Sequence, residues 1–171
     1  MQEAGVRAEK MLDDTLAAVR PAVTALHAAS GDIICTDFKN VGTGAGSVTR
    51  ERAVVTIISA ERRGNFLGVV ERHWRASGYR ITSVREDKEM PAVFATSPEH
   101  FQISLEFGAK GQAHLGVTSP CVTKSEIVEP SREPLPPEAR AAEGMPYLHS
   151  GFWSARTPVP SPSASDEKEG Q

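Results

Sequence analysis

Two cysteines are the residues whose type and spacing point most clearly to a chemistry. Cys35 lies in a glycine-rich stretch, and Cys121 follows the last strand-like run of the sequence. A zinc site or a redox motif needs closely spaced thiols or nearby histidines, and neither cysteine has them. A structural disulfide between Cys35 and Cys121 is therefore the leading interpretation. Because disulfides persist in oxidising environments, this pairing predicts a location outside the cytosol.

The other residues that could carry chemistry lack the spacing that it requires. The five histidines form no HxH, HxxxH or HExxH pattern, and no serine stands in a G-x-S-x-G elbow. The glycine run 42–46 lacks the following lysine of a phosphate-binding loop, so it is interpreted as a flexible loop. The carboxylates cannot be paired from sequence, so a dispersed dyad stays open. We predict no catalytic residue, no metal and no cofactor.

Charge and hydropathy exclude two classes of partner. Of the 171 residues, 19 are Lys or Arg and 22 are Asp or Glu, which gives a net charge of −3 and no basic footprint for nucleic acid. No apolar stretch approaches the roughly 20 residues that a membrane-spanning helix needs. The first five residues do not resemble a signal peptide, so export would require a leader ahead of Met1 that is removed.

Hydrophobic periodicity predicts the first elements. Apolar residues at helical spacing predict a helix over 4–19, which the next proline ends. Residues 21–27 are expected to open a strand, and the turn formers within 30–47 predict a long loop that carries Cys35. Residues 48–58 are rich in β-branched residues and predict a central strand, and the nearly continuous apolar run 53–58 within it is typical of a strand that is buried on both faces.

A second helix is predicted between Ser59, a good N-cap, and Gly78, a good residue to follow a helix end. Arg62 and Arg63 are assigned to its solvated side. Its buried stripe is formed by Phe66, Leu67, Val70 and Trp74.

Four short runs, 79–84, 92–96, 101–107 and 113–118, predict an antiparallel meander. An odd-length loop such as 108–110 would place odd-numbered residues opposite odd-numbered residues. The predicted fold is α+β, a two-layer α/β sandwich with two helices on one face of a mostly antiparallel sheet. The element order is α-β-β-α-β-β-β-β, followed by a proline-rich C-terminal tail.

The chain divides into a sandwich domain over 1–125, an extended proline-rich segment over 126–157 and a disordered tail over 158–171. The middle segment carries an aromatic island, which we define as Tyr147, Leu148, Phe152 and Trp153. We expect the island to dock on the sheet face that the helices leave uncovered. If it stays free, its residues Tyr147, Phe152 and Trp153 become the predicted contact with a partner.

Residues 52–74, together with Ser77-Gly78-Tyr79 and Ser119-Pro120-Cys121, resemble a group of uncharacterised small secreted lipoproteins of Streptomyces and related actinobacteria. The resemblance covers roughly residues 11–153. It implies that the chain is the mature part of a lipoprotein, whose export signal and lipid-bearing cysteine precede it. Contact with the membrane would then occur only through that lipid. The group has no assigned activity, so no functional residue is carried over.

These observations favour a non-enzymatic extracellular or cell-surface domain that binds an unknown protein partner or a wall component. One alternative is a small-ligand-binding protein that uses the open sheet face, with its site between that face and the aromatic island. A third is a hydrolase with dispersed carboxylates. A pocket with converging polar groups would favour the alternatives, whereas a flat apolar patch would favour a protein partner.

Overall fold

Over residues 1–130 and 134–159, which our computed structural model describes, a seven-stranded antiparallel sheet packs against a layer of helices. This is the predicted two-layer sandwich. Its elements, in chain order, are α1 (Gln2–Ala18), β1 (Ala25–Thr36), β2 (Gly42–Val54), α2 (Ala60–Ala76), β3 (Arg80–Arg85), β4 (Ala92–Thr96), β5 (Gln102–Phe107), β6 (Ala113–Thr118), β7 (Val122–Thr123) and α3 (Pro137–Ala141).

The strands lie in the order β1-β2-β6-β5-β4-β3, and the short β7 pairs with β2 beside β6. The predicted meander is confirmed as β3 to β6. Its register is confirmed as well, since Leu105 lies opposite Leu115 and Ile103 lies opposite Val117. The β5–β6 connection spans 108–112, which is longer than predicted but keeps the odd length that the pattern requires.

The core lies between one face of the sheet and helices α1 and α2. Alternate residues of the strands point into it, because side chains of a strand project to opposite faces in turn. Trp74 of α2 is fully buried in this core, and its indole Nε1 donates a hydrogen bond to Thr15 Oγ1 at 3.0 Å. The predicted stripe is confirmed: the buried residues that α2 contributes to this core are Phe66, Leu67, Val70 and Trp74.

Strands β1 and β2 form a long hairpin where a loop was predicted. The loop prediction for 30–47 is wrong, because the pairing continues from Ala25 opposite Val54 as far as Thr36 opposite Gly42. The strand expected at 21–27 begins only at Ala25. Backbone hydrogen bonds hold such a hairpin whatever its side chains are, so glycine lowers strand propensity without forbidding the strand.

Gly46 shows why one of these positions carries glycine. A Cβ added to Gly46 would lie 2.7 Å from Met1 Sδ. The glycine therefore leaves room for the first residue to pack on β2. The glycine run is thus part of a paired strand and does not form a flexible loop.

The central strand ends at Val54, four residues earlier than predicted. Residues 55–59 leave the sheet and pair instead with the segment that carries the aromatic island. Ile57 N donates to Leu148 O at 2.8 Å, and Ser59 N donates to Trp153 O at 3.0 Å. Residues 55–58 are apolar, which suits packing against this segment as well as it suits a strand. Composition alone therefore could not show that β2 ends at Val54.

The segment after β7 returns along the domain. It is not wholly extended, since α3 interrupts it. Residues 131–133 and 160–171 lie outside the described part of the chain, and with them most of the predicted tail over 158–171.

Candidate functional site

The disulfide between Cys35 and Cys121 is confirmed, with their Cα atoms 6.2 Å apart. It joins β1, near the turn of the long hairpin, to the connection between β6 and β7. Main-chain pairing supports the same region, because β7 pairs with Ala45 and Gly46 of β2. The distal half of the hairpin is therefore fastened to the domain at its side as well as at its base.

An apolar tip projects from this hairpin, and we define it as Ile33, Ile34, Phe38 and Val41. Phe38 has 91% of its surface exposed, and the other three residues are each more than half exposed. Isolated apolar residues on a surface are ordinary, but a group on one projecting element is a feature of interaction sites. The exposure of these residues was not predicted from the sequence, because residues 30–47 were expected to form a loop.

The turn that carries Phe38 is held by its own hydrogen bonds. Asp37 Oδ1 accepts from Lys39 N at 2.8 Å and from Val41 N at 3.0 Å. Asp37 N donates to Val41 O at 2.9 Å, and Asn40 adopts the left-handed conformation with φ of 59°. Asparagine tolerates that conformation better than most residues. The turn therefore presents Phe38 in a fixed position.

The aromatic island packs on the domain, but against the helices and not on the uncovered sheet face. Trp153 is 1% exposed, and its ring meets that of Phe66 edge to face at 5.1 Å between centroids. Its Nε1 donates to Pro21 O at 2.7 Å. Phe152 and Tyr147 are half-buried beside it. Among the three predicted partner-binding residues, Trp153 thus belongs to the core.

The uncovered sheet face is polar. Two hydrogen bonds cross it: one joins the hydroxyl groups of Thr49 and Thr118 at 3.1 Å, and in the other Thr96 Oγ1 donates to Gln102 Oε1 at 3.1 Å. Its remaining residues include Ser104, Glu106, His114 and the half-buried Phe94. Because the aromatic island lies on the opposite side of the sheet, the two surfaces do not enclose a ligand site. That part of the small-ligand alternative is wrong.

Two arginines of β2 point into the helical layer. Arg50 and Arg52 are buried, and Glu9 of α1 lies between them. Arg50 Nε is 3.4 Å from Glu9 Oε1, Arg52 Nη2 also pairs with Glu9, and Asp13 is 3.1 Å from the same nitrogen. Residues 48, 50, 52 and 54 share one face of the strand, so the buried Val48 and Val54 place these arginines on the core face. This alternation can be read from the sequence.

Arg62 is also buried, which corrects its assignment to the solvated side of α2. Its guanidinium carbon lies 4.6 Å from the centroid of the Phe152 ring, the geometry of a cation–π contact. Arg63 is half-buried, with its guanidinium over the Phe107 ring at 5.7 Å. The docked aromatic island therefore accounts for the burial of Arg62, whereas Arg63 packs on β5.

A groove of about 440 Å³ lies between α1 and the end of α2, lined in part by Arg7, Asp14, His73 and Tyr79. Burial raises the pKa of Tyr79. The hydrogen bond to Glu99, 2.7 Å from Arg7 Nε, raises the pKa of Arg7. Arg7 is therefore already paired with a carboxylate.

A second cavity, of about 560 Å³, opens where α2 begins. We call it the basic cavity, because Arg63, Lys110 and Arg156 line it together with His149 and a single carboxylate, Glu61. Within residues 1–130 and 134–159, no cluster of three His, Cys, Asp or Glu residues is arranged to hold a metal. In the same part of the chain, no helix is long and apolar enough to cross a membrane.

No protein-family model and no curated protein matches the chain. Among solved structures, it is similar to a DUF4853 family protein from Actinomyces odontolyticus, over 85% of this chain and 81% of that one, with 11% identity and a TM-score of 0.48. It is also similar to LppA, a candidate lipoprotein from Mycobacterium tuberculosis, over 70% of this chain and 73% of that one, with 12% identity and a TM-score of 0.40. Likeness at these levels assigns no activity and no site residue to this chain.

Proposed function

We propose that this chain is a non-enzymatic, exported binding module that contacts a protein partner through its apolar tip. The observation that carries the proposal is the exposure of Phe38, at 91%, on a hairpin fastened by a disulfide. The disulfide supports the exported location, since such bonds persist in oxidising compartments. We include lipid anchoring of the precursor in the proposal only because residues 52–74 resemble the small secreted lipoproteins of actinobacteria.

The contacts of the apolar tip do not explain its composition by a role in stabilising the domain. Its large side chains stand in water, whereas the core of the domain is complete without them. Burying one such side chain against a partner would contribute about 1.5–3 kcal/mol. Aromatic residues in the centre of a patch are also frequent hot spots of protein interfaces.

The rigidity of the turn favours binding. The hydrogen bonds of Asp37 and the disulfide at Cys35 hold the tip in place before any partner arrives. A contact that is already ordered loses less conformational entropy on association. The tip is therefore suited to insert Phe38 into a pocket without rearranging.

Charge favours a protein over a lipid surface. Asp32 and Asp37 flank the apolar residues, and Lys39 is the cation beside them, with its Nζ 5.4 Å from the Phe38 ring centroid. Lys124 also lies beside the hairpin, since its backbone N donates to Gly44 O at 3.1 Å. The charges around the tip are therefore mixed, whereas an anionic membrane surface attracts polybasic segments. A protein pocket with an apolar floor and a polar rim would fit such a tip.

The proposal is tested by native gel analysis of the tagged chain in the cells that produce it. We expect the wild type to migrate in a complex with a second protein, and the double variant Phe38→Ser, Val41→Ser to migrate as the free chain. The matched control is Val128→Ser, Leu135→Ser, which removes exposed apolar side chains outside the hairpin. Equal migration of all three proteins would contradict the proposal.

A further inference from the structure

The basic cavity lies where three segments meet. They are the connection from β2 to α2, the turn between β5 and β6 at Lys110 and Gly111, and the segment 146–156. Its volume of about 560 Å³ falls within the range of small-molecule sites. Pro146, His149, Ser154 and Arg156, which neighbour the aromatic island in sequence, form one wall, so the cavity exists only in the folded chain with this segment in place.

The charge of the cavity is opposite to that of the chain. Among the described residues, three cations, Arg63, Lys110 and Arg156, line the cavity with one carboxylate, Glu61, whereas the whole chain carries a net charge of −3. In the same part of the chain, the side chains of Lys110 and Arg156 form no ion pair. Cations that share a cavity lining repel each other, so an anion in the cavity would be stabilised.

Arg63 is positioned for binding without being neutralised. Its Nε donates to Ile58 O at 3.4 Å and its Nη1 donates to Glu89 O, so its acceptors are carbonyl groups and not carboxylates. Gly111 adopts φ of +82°, and a Cβ there would lie 2.7 Å from Arg63 Nη2. Glycine at this position therefore allows the guanidinium to lie close to the turn, and no described carboxylate pairs with it.

We infer that the basic cavity binds a ligand through a phosphate group. A phosphate presents several charged oxygens in different directions and accepts well from an arginine fork together with lysine. A carboxylate has two oxygens in one plane and a single charge, which one arginine satisfies. The volume leaves room for a small organic group attached to the phosphate. This site is separate from the apolar tip and does not depend on the proposed function.

Two kinds of probe distinguish a soluble ligand from a lipid headgroup. Inorganic phosphate and glycerol phosphate are titrated into the folded chain while amide chemical shifts near Gly111 and Ser154 are followed. Phosphatidylglycerol vesicles are tested by co-sedimentation. We expect saturable binding in at least one arm, at least tenfold weaker in Lys110→Gln, Arg156→Gln. The control Arg72→Gln, Lys124→Gln removes the same charge outside the cavity and should bind as the wild type does.

A variant of opposite sign sharpens the test. Glu61→Gln removes the one carboxylate of the cavity, so it should tighten binding several-fold, which a loss of folding could not do. Absence of saturable binding in every arm would overturn the inference. Equal weakening in the cavity variant and its control would overturn it too, because the effect would then come from overall charge.

Discussion

At the scale of single residues, the buried charges of the helical layer are the most demanding feature of this protein. Arg50 and Arg52 are withdrawn from water, and Glu9 supplies the carboxylate between them. His27 lies 3.9 Å from the same carboxylate. Without Glu9, Arg52 would keep only the exposed Asp13, and Arg50 only the exposed Glu129 at 3.7 Å. Removing the least exposed carboxylate of a buried ion group therefore costs more than the group itself contributes.

Glu9→Gln should therefore destabilise the fold by about 3 kcal/mol, the lower end of what breaking a buried pair costs, since the amide oxygen still accepts a hydrogen bond. The matched control is Glu99→Gln, which breaks the exposed pair with Arg7 and should cost less than about 1 kcal/mol. Urea denaturation measures both. Equal losses in the two variants would show that Glu9 does not hold the arginines.

Trp74 is the largest apolar contribution of α2 to the core. Trp74→Ala should lower the free energy of unfolding by about 3–5 kcal/mol, because it leaves a large cavity. Trp74→Phe keeps much of the volume and loses the hydrogen bond to Thr15, so its cost should be smaller. A loss below about 1 kcal/mol in the alanine variant would mean that the core does not depend on this side chain.

The burial of a residue was predictable where its position on one face of a single helix or strand decides it. The stripe that ends at Trp74 follows from helical spacing alone. Arg50, Arg52 and Arg62 were not predicted to be buried, because an arginine enters a core only when a partner from another element meets it there. Glu9 of α1 and Phe152 of the aromatic island are those partners, and both are distant in sequence.

At the scale of elements, the long hairpin depends on the disulfide that fastens it. Cys35→Ser, Cys121→Ser should lower stability by about 4 kcal/mol on the loop-entropy account, since the bond closes a loop of 86 residues. Amide exchange should become faster in residues 33–43, while β5 and β6 stay protected. Unchanged exchange in the hairpin would contradict the role assigned to the bond.

The turn between β3 and β4 should respond to acid. Asp87 Oδ1 accepts from Met90 N at 2.7 Å and from Glu89 N at 2.8 Å, and these bonds lower the pKa of Asp87. A carboxyl whose pKa is lower in the folded state stabilises that state above its unfolded pKa, about 3.9, and loses this contribution as pH falls through the folded value.

Amide exchange at Glu89 and Met90 should therefore accelerate below about pH 4 in the wild type. In Asp87→Asn the turn should exchange quickly at every pH, and the acid step should disappear. A wild-type turn that exchanges at the same rate above and below this pH, after correction for intrinsic rates, would contradict the account.

The elements that were misplaced are those held by non-local pairing. The glycine-rich part of β2 is a strand because β1 and β7 hydrogen-bond to it, and its own propensity would not make it one. The end of β2 was misplaced for the same reason, since residues 55–59 pair with a segment near the C-terminal end. The meander from β3 to β6 is local, and its existence was predicted, together with the register of β5 against β6.

At the scale of the whole molecule, the layer order followed from the order of the elements, but the place of the aromatic island did not. The uncovered face was expected to need a cover. Its residues Gln102, Ser104 and Glu106 are polar, and a polar face is stable in water, so nothing drives the island to it. The alternation of apolar and polar residues in β5 already indicates that this face is polar and needs no cover.

With Trp153 in the core, the apolar tip becomes the surface most suited to a partner, and this is the central claim. It is tested most directly by a photoreactive amino acid placed at position 38 in the producing cells, with the same group at position 96 on the uncovered face as control. We predict a covalent adduct with one other protein from position 38 and none from position 96. Adducts with lipid or with a second copy of the chain, or equal labelling from both positions, would contradict the claim.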